Sequence, residues 1–388
     1  MMIILLVSIL LFLIYAVLII YYRTGWQSIP DYTTTLSKPL STKISVIIPA
    51  RNEANNISAC IQSILAQSYS PDLFEIIVVD DHSTDNTFAI VSAFTQPNIK
   101  IILLSEYVDG RLNAYKKKAI EVAIAQSSGT LIVTTDADCI VQENWLKTIA
   151  SFYEEHNAAF IAAPVLIDYG NSFIEIFQAL DFMTLQGITG ASVHKKIHSM
   201  CNGANLAYER KVFYEVNGFD GIDSIASGDD MLLMHKIYQR HPENVFYLKS
   251  KDAIVKTAPV KTVAAFFNQR IRWASKADKY DDKRILPVLI AVYLFNLFLL
   301  LFPIACIFFN IQFLILNSQF SGIQIWICIL FLKTIIELIF LFPVASFFGR
   351  RSLLLFFPLM QPFHIVYTVI AGFLGKFGSY QWKGRKVK

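Results

Sequence analysis

The chain has 388 residues, of which 54% are hydrophobic, and a formal net charge of +4. A charge that small, without an RNP, zinc-finger or helix-turn-helix signature, argues against a nucleic-acid partner. The five cysteines (Cys60, Cys139, Cys201, Cys306 and Cys328) are scattered and form no CxxC pair. That pattern excludes a disulfide framework and a thiolate zinc site, and it suits a reducing compartment.

Residues 1–22 are almost all apolar and uncharged, long enough to span a bilayer. A basic n-region and a small-residue cleavage site are missing, so the stretch reads as an anchor and not as a signal peptide. Arg23 follows it, which places the downstream side in the cytoplasm. Residues 23–41 read as a linker and 42–283 as a domain of ordinary globular composition. In that domain, residues 44–48, 76–79, 99–104 and 131–134 are β-branched runs that read as buried strands. Helical patterns at 57–66 and 119–125 alternate with them. The alternation predicts an α/β fold, a parallel sheet covered by helices. Ligands on such sheets bind beyond the carboxyl ends of the strands.

The residues that follow each strand are therefore the candidates. After the first come Pro49, Ala50, Arg51, Asn52 and Glu53; alone these read as punctuation, with Asn52 or Asn55 capping the next helix. After the second come Asp80 and Asp81, whose adjacent charges need partners, then His82, and Ser83 and Asp85 as helix-capping types. After the fourth comes Asp136-Ala137-Asp138. In extended chain both carboxylates point the same way and can face one Mg²⁺ or Mn²⁺ ion. His194, His198 and Cys201 have zinc-like spacing, but solvated polar residues are the better account. Ser227-Gly228-Asp229-Asp230 precedes a helix; one aspartate, plausibly Asp229, caps it, or one of the pair is a general base. Gln269, Arg272 and Trp273 share one face of a helical stretch. Arg272 can clamp a diphosphate and Trp273 can stack, while Arg270 and Lys276 suit a helix lying on a membrane surface.

Residues 284–375 read as a second membrane region, with apolar stretches at 285–309, 323–348 and 353–374. The loop around 317–321 has no Lys or Arg and is placed outside. Arg350, Arg351 and the basic tail at 376–388 are placed inside. Basic residues thus flank the last stretch on both sides, and Pro358 and Pro362 interrupt it. That predicts a re-entrant or interfacial hairpin, with a kinked crossing as the rival. Glu337 and His364 are the ionisable exceptions noted within these segments.

Taken in order, VIIPARNE, VVDDHSTD, TDADC, GANLAY, SGDD and QRIRW resemble the family 2 glycosyltransferases of GT-A fold, in the membrane-embedded branch with cellulose, chitin and hyaluronan synthases and ceramide glucosyltransferase. The resemblance covers about residues 43–276. It implies a nucleotide-diphospho-sugar donor held by Ala50, Arg51, Glu53 and Asp80 or Asp81, and a metal site at Asp136 and Asp138. It implies a catalytic base at Asp230, with the diphosphate and acceptor near Gln269, Arg272 and Trp273. The reaction implied is an inverting transfer to a lipid or glycan acceptor among membrane lipids. The chain departs from the family pattern at His82, where glycine is usual, and at Asp229-Asp230, where Glu-Asp is common. It also has Lys117-Lys118-Ala119 in place of Gly-Lys-Ala, which puts a phosphate role on Lys118. A processive polysaccharide synthase and a catalytically dead membrane scaffold are the competing readings. Clustered carboxylates weigh against the second.

Overall fold

The computed structural model describes residues 2–34, 39–108, 112–225, 228–275, 282–315, 318–378, 380–382 and 385–387; Ser227, Lys276 and part of the basic tail lie outside the described residues. Strands β1 (Ile44–Ala50), β2 (Phe74–Asp80), β3 (Ile99–Leu103), β4 (Leu131–Thr134), β5 (Cys139–Ile140), β6 (Phe160–Ala162), β7 (Val165–Ile167), β8 (Leu206–Glu209), β9 (Val245–Tyr247) and β10 (Val255–Thr257) build two sheets. The larger has the order β3-β2-β1-β4-β8-β6-β9, and the smaller is β5-β10-β7. The first four strands pair in parallel, while β8 runs antiparallel to both β4 and β6.

Successive side chains on a strand point to opposite faces. Ile47, Ile77, Val79 and Ile132 accordingly enter one core, and Val46, Ile48, Ile76, Val78 and Val133 enter the other. Burial on both faces explains why these strands are unbroken β-branched runs. Helices α2 (Ile57–Leu65), α3 (Thr87–Ser92), α4 (Tyr115–Ala125), α5 (Trp145–His156), α6 (Phe173–His194), α7 (Arg210–Glu215) and α8 (Met231–Arg240) belong to this domain, and α9 (Val263–Ala274) leads out of it.

Among the described residues, four helices are long and apolar enough to cross a membrane: α1 (Met2–Ser28), α10 (Ile285–Phe309), α11 (Gly322–Phe347) and α12 (Phe357–Phe377). Two sequence expectations change here. The linker expected from residue 23 is helical as far as Ser28. The expected hairpin is one continuous helix, α12. Pro358 sits in its first turn, where a missing N–H leaves no bond unmade, and Pro362 removes one further bond without ending the helix.

The apolar helices also carry a charge the sequence reading passed over. Lys333, one turn before Glu337, is fully buried and donates to Glu337 at 2.7 Å and to Gln361 of α12 at 2.6 Å. Tyr15 of α1 donates to the same Glu337 carboxylate, so three helices meet at one polar knot.

Candidate active site

The ends of β1, β2 and β4 open on a cavity of about 1020 Å³. Ala50 ends β1 level with Asp80, and its carbonyl accepts the Asp81 N–H at 2.7 Å. Arg51 donates to the carbonyls of Asp81 (2.7 Å) and His82 (3.1 Å), tying the two strand ends together. Asp81 lines the cavity with Ala50, Arg51 and Glu53. Asp80 does not line it; the carboxylate is buried and accepts the Ser83 N–H at 3.0 Å, which closes the turn. His82 has φ +54, so the turn keeps the left-handed conformation that glycine adopts more easily. Asn52 also has a positive φ and accepts the Thr84 N–H, and Asn56, not Asn52 or Asn55, precedes the first turn of α2. Asp85 accepts the N–H of Thr87 at the start of α3 and that of Ala54.

Asp136 and Asp138 both line the cavity, but not from extended chain. The Cys139 N–H donates to the Asp136 carbonyl at 3.1 Å, which folds the motif into a turn. The i, i+2 argument for a shared direction therefore does not hold, and it is the turn that brings both carboxylates to one cavity. Burial pushes the thiols of Cys60 and Cys139 beside them upward. No group of three or more His, Cys, Asp or Glu able to hold a metal occurs among the described residues. Two hard carboxylates beside open space still fit Mg²⁺ or Mn²⁺, ions that complete their coordination with substrate phosphates and water. The side chain of Asp136 is 38% exposed, enough to reach such an ion. His194 is exposed, whereas His198 is buried against Tyr22 and Ser192, so these histidines form no zinc site.

The cation at the centre is Lys116. Its Nζ lies 2.8 Å from Asp136 and 3.2 Å from Asp229. Burial alone would lower its pKa, but the carboxylates of Asp136, Asp229 and Asp230 outweigh that and raise it. Lys118, the expected phosphate contact, does not line the cavity and pairs with Glu121 on the helix surface at 3.1 Å. The reason is helical geometry, since three consecutive lysines leave α4 about 100° apart. Lys116 reaches the site, Lys117 is buried on the carbonyls of Ile222 and Ile225, and Lys118 faces out.

The helix cap falls on the second aspartate of the pair. Asp230, not Asp229, caps α8, accepting the Met231 N–H at 2.8 Å and the Gly203 N–H at 3.3 Å. A Cβ on Gly203 would stand 3.2 Å from both Asp229 Oδ2 and Lys116 Nζ, so glycine keeps this approach open. Asn205, two residues on, donates to the carbonyls of Pro164 and Ala253 and accepts from the Trp145 indole, pinning the loop that carries Gly203.

Gln269, Arg272 and Trp273 all line the same cavity from α9. Arg270 is not at a membrane surface. It is buried, 2.6 Å from Asp181, and its guanidinium lies 4.2 Å from the centre of the Trp273 ring. One face of that indole therefore carries a cation. Beyond α9 the cavity continues between α1, α10 and α12, past Leu289, Tyr293 and Phe373.

Residues 45–216 match the family described as Glycosyl transferase family 2, and residues 131–347 match Glycosyl transferase family group 2. Among curated relatives, Glycosyltransferase AglE of Haloferax volcanii is 28% identical over 188 residues, 48% of this chain and 59% of that protein. The UDP-Glc:alpha-D-GlcNAc-diphosphoundecaprenol beta-1,3-glucosyltransferase WfgD of Escherichia coli is 34% identical over 136 residues, 35% of this chain and 51% of that protein. The chain spans 59% of the length of the first curated relatives it matches. The solved mannosyltransferase PcManGT of Pyrobaculum calidifontis, in complex with GDP-Man and Mn²⁺, has the same fold, with a TM-score of 0.55, 17% identity and coverage of 96% of this chain and 97% of that one. With more than half of its length inside the family match, this chain belongs to the family 2 glycosyltransferases and carries their GT-A fold between long apolar helices.

Proposed function

We propose that the chain is an inverting glycosyltransferase. It moves a sugar from a nucleotide-diphospho-sugar of the uridine type to a lipid or other membrane-associated acceptor, at the cytoplasmic face of a membrane. One observation carries this reading: a single cavity joins the carboxylates at the strand ends to the apolar helices α1, α10 and α12. A water-soluble donor can enter at the polar end while an amphiphilic acceptor lies along the apolar one. A relative named for an undecaprenol-linked acceptor supports the same class.

In this mechanism Ala50, Arg51, Glu53 and Asp81 hold the nucleotide. Asp136 and Asp138 would hold Mg²⁺ or Mn²⁺, which supplies charge neutralisation at the diphosphate. Lys116 and Arg272 stabilise the charge that develops on the departing nucleoside diphosphate. Asp230, which takes only backbone hydrogen bonds, removes the proton from the acceptor hydroxyl as that oxygen attacks the anomeric carbon from the opposite face. Asp229 holds Lys116 in place.

The test is nucleotide release and sugar transfer by the purified chain in lipid nanodiscs. UDP-glucose, UDP-N-acetylglucosamine, UDP-galactose and GDP-mannose are compared, with Mn²⁺ or Mg²⁺ and then with chelator. Release from one donor, lost on chelation and in Asp138→Ala, is the expected result. Release that survives both treatments overturns the metal assignment, and no release from any donor in the presence of membrane lipid extract overturns the activity.

A further inference from the structure

His82 stands in the turn after β2 where glycine is usual, and it holds a left-handed backbone, φ +54, that is unfavourable for a residue with a Cβ. Such strain persists where the side chain has work to do. The imidazole Nδ1 lies 3.0 Å from Asp81 Oδ1. A carboxylate accepts, so Nδ1 carries the proton and donates. The ring meets Tyr115, the neighbour of Lys116, edge-on with 5.6 Å between centres. The Arg51 guanidinium approaches the same Asp81 oxygen at 3.9 Å. Oδ1 is thus committed within the protein, and Asp81 offers at most one oxygen to the cavity it lines.

The sheet order says which part of a donor lies here. Strand β1 separates β2 from β4, which leads into the Asp136–Asp138 turn, so the two strand ends stand about 10 Å apart, two strand spacings. With the diphosphate at the aspartate turn, that span crosses the ribose and reaches the base. We infer that His82 is a positioning residue that sets base specificity. By holding Oδ1 it makes Asp81 a single acceptor, fitted to the one N–H of uracil and not to the paired N–H groups of guanine. The inference rests on the donor reading above and narrows it to the base. Uracil presents one imide N–H between two carbonyls, and a second bare carboxylate oxygen would face one of those carbonyls. Guanine presents a ring N–H and an amino group side by side, which a carboxylate meets with both oxygens. His82 does not itself line the cavity, so it acts through Asp81.

The test is calorimetric binding of UDP and of GDP, with Mg²⁺, to the full chain in phosphatidylcholine nanodiscs, which needs neither acceptor nor turnover. Wild type is expected to bind UDP about tenfold more tightly than GDP, the order of one hydrogen bond to a charged group. His82→Phe keeps a ring against Tyr115 without the donor, and His82→Gly relieves the backbone as well. Each is expected to lower the UDP-to-GDP ratio by about tenfold, chiefly through tighter GDP binding. A purely structural role would weaken both nucleotides alike and leave the ratio unmoved. Wild type binding GDP as tightly as UDP, or a ratio unchanged in both variants, overturns the inference and leaves the donor reading standing. Binding of neither nucleotide overturns both.

Discussion

Lys116 Nζ sits 2.8 Å from Asp136 Oδ1, so a lysine on α4 answers the first carboxylate of the DxD turn across the floor of the cavity. The same ammonium reaches Asp229 at 3.2 Å and thereby couples the strand-end acids to the loop before α8. Lys116→Met should lower transfer about 10²-fold, the scale of losing one preorganised charge at a reacting centre. Lys118→Met should leave turnover within a factor of about two, because an exposed pair of this kind contributes little. Turnover numbers of the two variants check the assignment, and a larger loss at Lys118 would return the phosphate contact to that residue.

Asp230→Asn keeps the shape of the α8 cap and removes the base. Transfer should fall by about 10²–10⁴-fold, while donor binding measured by calorimetry stays near the wild-type value. Equal turnover in Asp230→Asn would move the base elsewhere, with Asp229 the next candidate.

The Arg270–Asp181 pair is buried on both sides, each side chain only 4% exposed. Arg270→Leu leaves a carboxylate without its cation and should cost about 3–5 kcal/mol. Arg270→Leu combined with Asp181→Leu should recover much of the lost thermal midpoint. Full additivity of the two losses would show that the pair is not coupled.

His198 is buried between Tyr22 and Ser192, and burial lowers its pKa to about 4. The folded chain therefore binds fewer protons at this ring than the unfolded chain does. Its stabilising contribution is complete above the unfolded value near 6.5 and is lost as pH falls from there toward about 4, roughly 3 kcal/mol across the window. Unfolding midpoints of wild type and His198→Gln at neutral pH and near pH 4.5 should converge toward acid. A pH-independent gap between them would remove His198 as the cause.

Much of this architecture can be read from local pattern, and the limits have physical causes. The strand expected at 131–134 is β4 to the residue, and those at 44–48 and 76–79 are only lengthened, because buried parallel strands are continuous β-branched runs. Strands β5 to β10 have two to four residues each, too few to show a period. The cavity-lining acids are legible because strand ends punctuate the sequence. The lysine that lines the cavity is Lys116 and not Lys118, because which of three adjacent lysines faces a site depends on where the helix starts. A helix begun at Tyr115 puts the first of them beside Asp136. The cap falls on Asp230 and not on Asp229 for a related reason, since it belongs to whichever aspartate immediately precedes α8.

The first helix has a consequence for how the chain is made. Trp26 of α1 packs edge-on against Tyr247 (ring centres 6.0 Å apart) and Phe347 (5.4 Å), and Arg23 donates to the carbonyl of Ile339. Helix α1 thus waits for some partners that follow it by more than three hundred residues. Until α11 is in place, the aromatic end of α1 rests on α6 and Tyr247 without its α11 contacts, and the catalytic sheet folds beside an anchor that is not yet locked. A soluble fragment cut after α1 would carry the bare faces of α6 and β9 into water, so shortening this protein to its catalytic half should yield aggregate instead of enzyme.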